Sequence, residues 1–197
     1  MQPIIIIGTG RKGRIALEIL QANQITVYGF LDDDNSREGD IIGNVPILGS
    51  QKDPIFLGML GEKCAAFVAL EDSTEQKNYI QKWQKENPIP TLNAIHPHAY
   101  LASQVSLGEG NLINLLSSIG TEVKIGSYNT VEEQVVIGQA VQIDNHVHIC
   151  PGTIIGGGAI IHSGAQIGAG AIVMNDITIG ENVSIPTGKV IQESIGI

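Results

Sequence analysis

From Ile95 to Ile185 an aliphatic residue recurs at every sixth position, sixteen times without a failure. Four residues after most of them stands a small or β-branched side chain, such as Val123, Val141, Thr153, Ala159 or Ala171. A period of six fits neither a helix nor a single long strand. It fits a short strand that turns one side chain inward, a bend, and a repeat of the same unit. Three units close a triangular coil of 18 residues, and coils stack at roughly the 4.8 Å spacing of neighbouring strands. One coil cannot bury its aliphatic face alone, so only the stack is stable. Sixteen hexads predict a β-helix of about five coils.

The first half follows another pattern. Ile4–Ile7, Thr26–Leu31 and Ala65–Leu70 read as buried strands, while Arg14–Gln21 and Glu75–Glu86 carry helical spacing. Asp72, Ser73 or Thr74 stands where the second helix needs a cap. Alternation of strand and helix predicts a parallel, Rossmann-like α/β domain over residues 1–92, with Pro88 and Pro90 marking the change to a β-helix domain over 93–197.

Composition agrees with an aliphatic repeat, since 43% of the chain is hydrophobic but only 4% aromatic. Residues 1–94 carry 9 basic and 12 acidic side chains and residues 95–197 carry 2 and 8, which excludes a nucleic-acid surface on the second half. No apolar run reaches the roughly 18 residues of a membrane span, and the apolar start is too short for a signal peptide, so a cytoplasmic location is expected. Two distant cysteines, Cys64 and Cys150, make neither a disulfide framework nor a metal cluster, and no three histidines converge on a zinc site.

Gly8-Thr9-Gly10-Arg11-Lys12-Gly13 follows a strand, opens a helix and precedes Asp32 at about the spacing of a dinucleotide fingerprint. NAD is the literal reading, but a domain of this size lacks the second half of a dinucleotide fold, and the same turn serves any phosphate. A plain tight turn and a solvated Asp32-Asp33-Asp34 run remain open alternatives. His148 precedes an inward residue and therefore points outward, where it is either a surface histidine or a cleft residue. His146 falls on a turn. Asp144 and His162, 18 apart, are expected to stack as a pair. Val136, Ile154 and Ile172, also 18 apart, line up as an outward apolar column that calls for a partner.

The segments IIIIGTGRKGRIALEIL, GFLDDD, VPILGS, IHPHAYLASQVSLGEG and NHVHICPGTIIGGGAIIHSGAQIGAGAIV resemble the hexapeptide-repeat sugar O- and N-acetyltransferases of the sialic-acid and bacillosamine type (NeuD/PglD-like), over almost the whole chain. The resemblance implies left-handed coiling and a homotrimer, with Val136, Ile154 and Ile172 in its interface. It implies an acetyl group taken from acetyl-CoA and placed on an amino or hydroxyl group of a nucleotide sugar or related sugar. Gly10, Arg11, Lys12, Asp32 and Asp33 would bind the sugar nucleotide, although the family usually has Gly-His at Arg11-Lys12. His148, Gly157, Ala169 and Thr187 would contact the cofactor, with His148 near the thioester.

Aligned without gaps from Leu107 to Gly152, the chain places Gln139 where the family has its base histidine and Ala140 where an acidic residue supports it. An amide cannot act as a base, which leaves His146 or His148 as substitutes. It also leaves open a non-catalytic scaffold that still binds nucleotide sugar and CoA. The chain stops after SIPTGKVIQESIGI, where family members tend to carry a further coil.

Overall fold

The computed structural model describes residues 2–86 and 91–196; Pro88 and Pro90 lie outside them. The chain divides into two compact units, Met1–Ala94 and Ile95–Ile197.

In the first unit, β1 (Ile4–Ile7) lies between β2 (Val27–Leu31) and β5 (Ala65–Val68), both parallel to it. Beyond β2 come β4 (Val45–Gly49), parallel, and β3 (Ile41–Ile42), antiparallel, giving the order β3-β4-β2-β1-β5. All four isoleucines of β1 are buried, as expected of a strand covered on both faces. Helix α1 (Arg11–Ala22) buries Gly13, Ala16, Leu17, Ile19 and Leu20 and opens three residues earlier than its apolar spacing predicts. Helix α3 (Ser73–Glu86) is capped by Asp72, whose carboxylate accepts the Glu75 N–H at 2.7 Å. The short α2 (Pro54–Leu57) has Asp53 as its cap and Pro54 in its first turn. Strands β3 and β4 and helix α2 have no counterpart in the sequence pattern. Pro46 within β4 removes a ladder donor and reads as a break, yet it is tolerated because it faces the two-residue edge strand β3.

The second unit is the left-handed parallel β-helix. Its two-residue strands stack into three parallel sheets of six, five and six strands. The second residue of each strand enters the core, and from Ile113 to Ile191 these residues form one aliphatic cluster, most of them fully buried. The series continues one hexad beyond Ile185, because Val190–Ile191 pairs with Ile172–Val173 as a further strand. Every sixth residue from Gly110 to Gly188 takes a left-handed backbone, and eight of these fourteen, Leu116 and His146 among them, are not glycine. These are the three corners of the coil. At one corner a buried amide ladder supports the turns: the Asn129 N–H donates to Asn111 Oδ1 (2.9 Å) and the Val147 N–H to Asn129 Oδ1 (2.7 Å).

Candidate functional site

In the first unit the strand order reverses direction at β1, and the loops after β1, β2 and β5 meet at the carboxyl ends of the strands, where open α/β sheets bind ligands. A crevice of about 220 Å³ lies there, lined by Gly8, Thr9, Gly10, Asp32, Asp33, Gln51, Ala69, Leu70, Glu71 and Glu75. A second hollow of about 570 Å³ is lined by Thr9, Gly10, Arg11, Arg14, Ile15, Glu18 and Arg37. The two share Thr9 and Gly10 but differ in charge. The first presents four carboxylates; the second presents three guanidinium groups and one carboxylate.

Asp32 is held firmly. Its Oδ2 accepts the Thr9 hydroxyl and Arg37 Nη1 (3.2 Å), and its Oδ1 accepts the Asp34 N–H at 2.9 Å. Asp33 takes the Ser50 hydroxyl at 3.1 Å and Lys52 Nζ at 2.5 Å. Partial burial raises the Asp33 pKa, but hydrogen bonds from Gln51, Lys52 and Ser50 together outweigh it and leave the carboxyl below its ordinary 3.8.

The turn itself departs from a simple phosphate cradle. Glu71 Oε1 accepts the Lys12 N–H at 2.7 Å, so a carboxylate already meets a backbone donor at the start of α1. A Cβ on Gly10 would fall 2.5 Å from that same oxygen, so a larger residue there would push the Glu71 carboxylate off the turn. Of the sugar-nucleotide candidates, Gly10, Asp32 and Asp33 line the first crevice and Gly10 and Arg11 the second, while Lys12 is in neither lining. Arg14, Arg37 and Glu71 were missed by sequence reasoning. Arg14 stands three residues after Arg11, one helical turn on, which is a legible signal; Arg37 and Glu71 arrive from separate loops and have none.

In the second unit the candidates fall on different edges of the prism. His148, on strand His148–Ile149, places Nε2 at 2.8 Å from Glu132 Oε1, and the Cys150 sulfur lies 4.0 Å from the same nitrogen. The Glu132 side chain is only 10% exposed, against 43% for His148. Beside this pair Asn114 donates to Glu133 Oε1 (2.8 Å) and the Ser117 hydroxyl to the Glu132 carbonyl (2.8 Å). Ala169 and Thr187 occupy the corner that follows this face, one coil apart.

Gln139 is exposed at another corner, with Gly157 stacked on it one coil later. Ala140 lines a groove of about 420 Å³ with Gln104, Ser106, Glu122, Lys124 and Gln142. Strand Gln142–Ile143 separates Gln139 from His148 within the chain. His146 occupies the corner between them and stacks on Tyr128, ring centroids 5.4 Å apart and planes 13° from parallel. His162 and Asp144 form the pair their spacing predicts, at 2.8 Å.

On the remaining face Val136, Ile154 and Val190 are 43%, 43% and 45% exposed, in one column with Ile172. Among the described residues no group of three or more His, Cys, Asp or Glu is placed to hold a metal ion. None of the described helices is long and apolar enough to cross a membrane.

A half-Rossmann sheet with a glycine-turn crevice, followed by a hexapeptide β-helix bearing a histidine–carboxylate pair, defines a class of two-domain hexapeptide-repeat proteins. Residues 3–83 match the family model of the PglD N-terminal domain, and the chain is similar to PglD/NeuD-like proteins of the hexapeptide-repeat type. No curated protein sequence matches it. Among solved structures it resembles the acetyltransferase domain of PglB from Neisseria gonorrhoeae FA1090 (TM-score 0.90, 22% identity, 100% of this chain and 94% of that one). It also resembles PerB from Caulobacter crescentus, solved in complex with CoA and GDP-perosamine (TM-score 0.79, 26% identity, 98% of this chain and 90% of that one). WeeI from Acinetobacter baumannii AYE is similar at a TM-score of 0.57 and 21% identity, over 96% of each chain.

Proposed function

We propose that this protein transfers an acetyl group from acetyl-CoA to an amino group of a nucleotide-linked sugar. The observation that carries this reading is the likeness to PerB over nearly the full length of both chains. That neighbour is solved with CoA and GDP-perosamine, the two ligand classes the halves of this chain are expected to take. The first unit would hold the nucleotide, with its anionic part toward Arg11, Arg14 and Arg37 and its hydroxyl groups toward Asp33. The second would hold acetyl-CoA.

The separation of Gln139 and Gly157 from His148, Ala169 and Thr187 on the prism favours a cleft with walls from two chains. The exposed Val136–Ile154–Ile172 column offers the apolar contact such an assembly requires. We therefore read the working form as a homotrimer with acetyl-CoA between subunits, in the cytoplasm, where that cosubstrate is available. No metal or nicotinamide cofactor enters this reading.

Chemistry at the site is attack of a neutral amine on a thioester carbonyl, for which positioning and removal of one proton are the two demands on the protein. Gln139 cannot meet the second. The test is CoA release measured with acetyl-CoA and GDP-perosamine or other nucleotide-linked amino sugars, with mass analysis of the product. Acetylated sugar is the expected result. CoA binding with no acetylated product from any acceptor would return the protein to the scaffold reading.

A further inference from the structure

We infer that His148 is the proton acceptor of this chain and that Glu132, from the preceding coil, is its positioning residue. This rests on the acetyl-transfer reading and deepens it. The geometry separates His148 from its neighbours His146 and His162. His146 is spent in the stack on Tyr128 at a corner of the coil. His162 does meet a carboxylate, but Asp144 is 45% exposed and can exchange that contact for water. Glu132 is 10% exposed and cannot.

The pair is made by the register of the helix. Thr130 sits beside His148 on the adjacent strand, so Glu132, two residues further on, reaches the imidazole from the next corner position. Cys150 follows Glu132 by one full coil and lies 4.0 Å from the same ring nitrogen. Gln166, on the other side of His148 in the column, carries no charge. Among the described residues, Glu132 is thus the one carboxylate that the structure places at hydrogen-bond distance of this ring.

A carboxylate only accepts hydrogen bonds, so Nε2 carries the hydrogen and donates it to Glu132 Oε1, which leaves the lone pair on Nδ1. Nδ1 takes a proton from the acceptor nitrogen as that nitrogen bonds to the acetyl carbonyl carbon. The carbon–sulfur bond breaks, its electron pair leaves with the CoA sulfur, and the imidazolium returns the proton to the thiolate. The products are the amide and CoA, and no further reagent is consumed. Between these steps the buried carboxylate stabilises the imidazolium.

Two measurements on the full-length protein test this. Long-range ¹H–¹⁵N NMR of the imidazoles should show His148 as the Nε2–H tautomer, and Glu132→Gln should mix the tautomers; an Nδ1–H tautomer in the wild type overturns the assignment. In the acetyl-CoA and amino-sugar assay, His148→Ala should lower kcat by about a hundredfold or more. Added imidazole should restore part of that loss. Glu132→Gln should lower kcat roughly tenfold with the KM for acetyl-CoA unchanged and the acid limb of the pH profile moved down. His162→Ala should stay within about threefold of wild type, well short of a lost base. Wild-type turnover that survives His148→Ala sinks this base and leaves acetyl transfer standing. If the wild type acetylates no acceptor, both readings fall, whatever tautomer the NMR shows.

Discussion

Gly13, in the first turns of α1, packs so closely against Gly8 that a Cβ on Gly13 would stand 2.1 Å from the Gly8 carbonyl oxygen. In an ordinary exposed helix, replacing glycine by alanine gains about 1 kcal/mol. Here the helix would have to leave the sheet, and Gly13→Ala is expected to destabilise the protein by roughly 2 kcal/mol or more. Urea unfolding decides the sign; a stabilised variant would mean that α1 packs further from β1.

The left-handed corners give the opposite expectation. Gln134 is exposed, has φ 58°, and shares its column with Gly152, Gly170 and Gly188. Strain at a non-glycine residue in this region costs roughly 1–2 kcal/mol, part of which glycine returns through its greater freedom in the unfolded chain. Gln134→Gly is expected to raise stability by about 0.5–1 kcal/mol, measured as a higher urea midpoint at unchanged slope.

Tyr79 packs on Trp83, ring centroids 4.6 Å apart, and donates its hydroxyl to the Gln51 carbonyl at 3.0 Å. Burial, and secondarily the charge of Asp33, push its phenol well above the ordinary 10.0. A raised folded pKa favours the protonated form, so the stability it confers is complete below pH 10 and is lost progressively as pH rises beyond that. Tyr79→Phe is expected to cost about 1 kcal/mol at neutral pH and to flatten the alkaline decline of the stability curve. An unchanged alkaline limb would show that another group governs it.

The apolar column predicts a charge-sensitive assembly. Ile154→Glu sets a carboxylate in the middle of the face formed by Val136, Ile154 and Ile172. Light scattering is expected to report a trimer for the wild type and a smaller species for the variant. A variant trimer of wild-type stability would move the interface to another face.

Arg37 braces Asp32 and Thr9 at the mouth of the crevice beyond β1 and lines the basic hollow beside it. Arg37→Ala therefore removes both a guanidinium for an anion and the brace on Asp32. Calorimetric titration with a GDP-linked sugar is expected to show roughly tenfold weaker binding, with acetyl-CoA affinity unchanged. Equal affinity would place the phosphates elsewhere.

Most of the β-helix could be read from the chain, because its order is periodic and local. One aliphatic residue per hexad must face inward, and the 18-residue coil tells which residues stack, as Asp144 and His162 do. Spacing alone also ran short. The Glu132–His148 contact is 16 residues apart rather than 18, because it joins a corner to a strand. Which of several outward side chains meet around a corner depends on the path of the turn, and a hexad count carries no such information.

In the first half the buried strands and the glycine turn are legible in the chain, since continuous apolar runs and a glycine pattern have few other uses. What surrounds that turn depends on how the sheet folds. Arg37 comes from the loop after β2 and Glu71 from the loop after β5, and each reaches Thr9 or Lys12 because the sheet places those loops side by side. Residues 28 and 59 positions apart carry no mark of such meetings, because loop side chains answer to neighbours that the chain supplies only once it has folded.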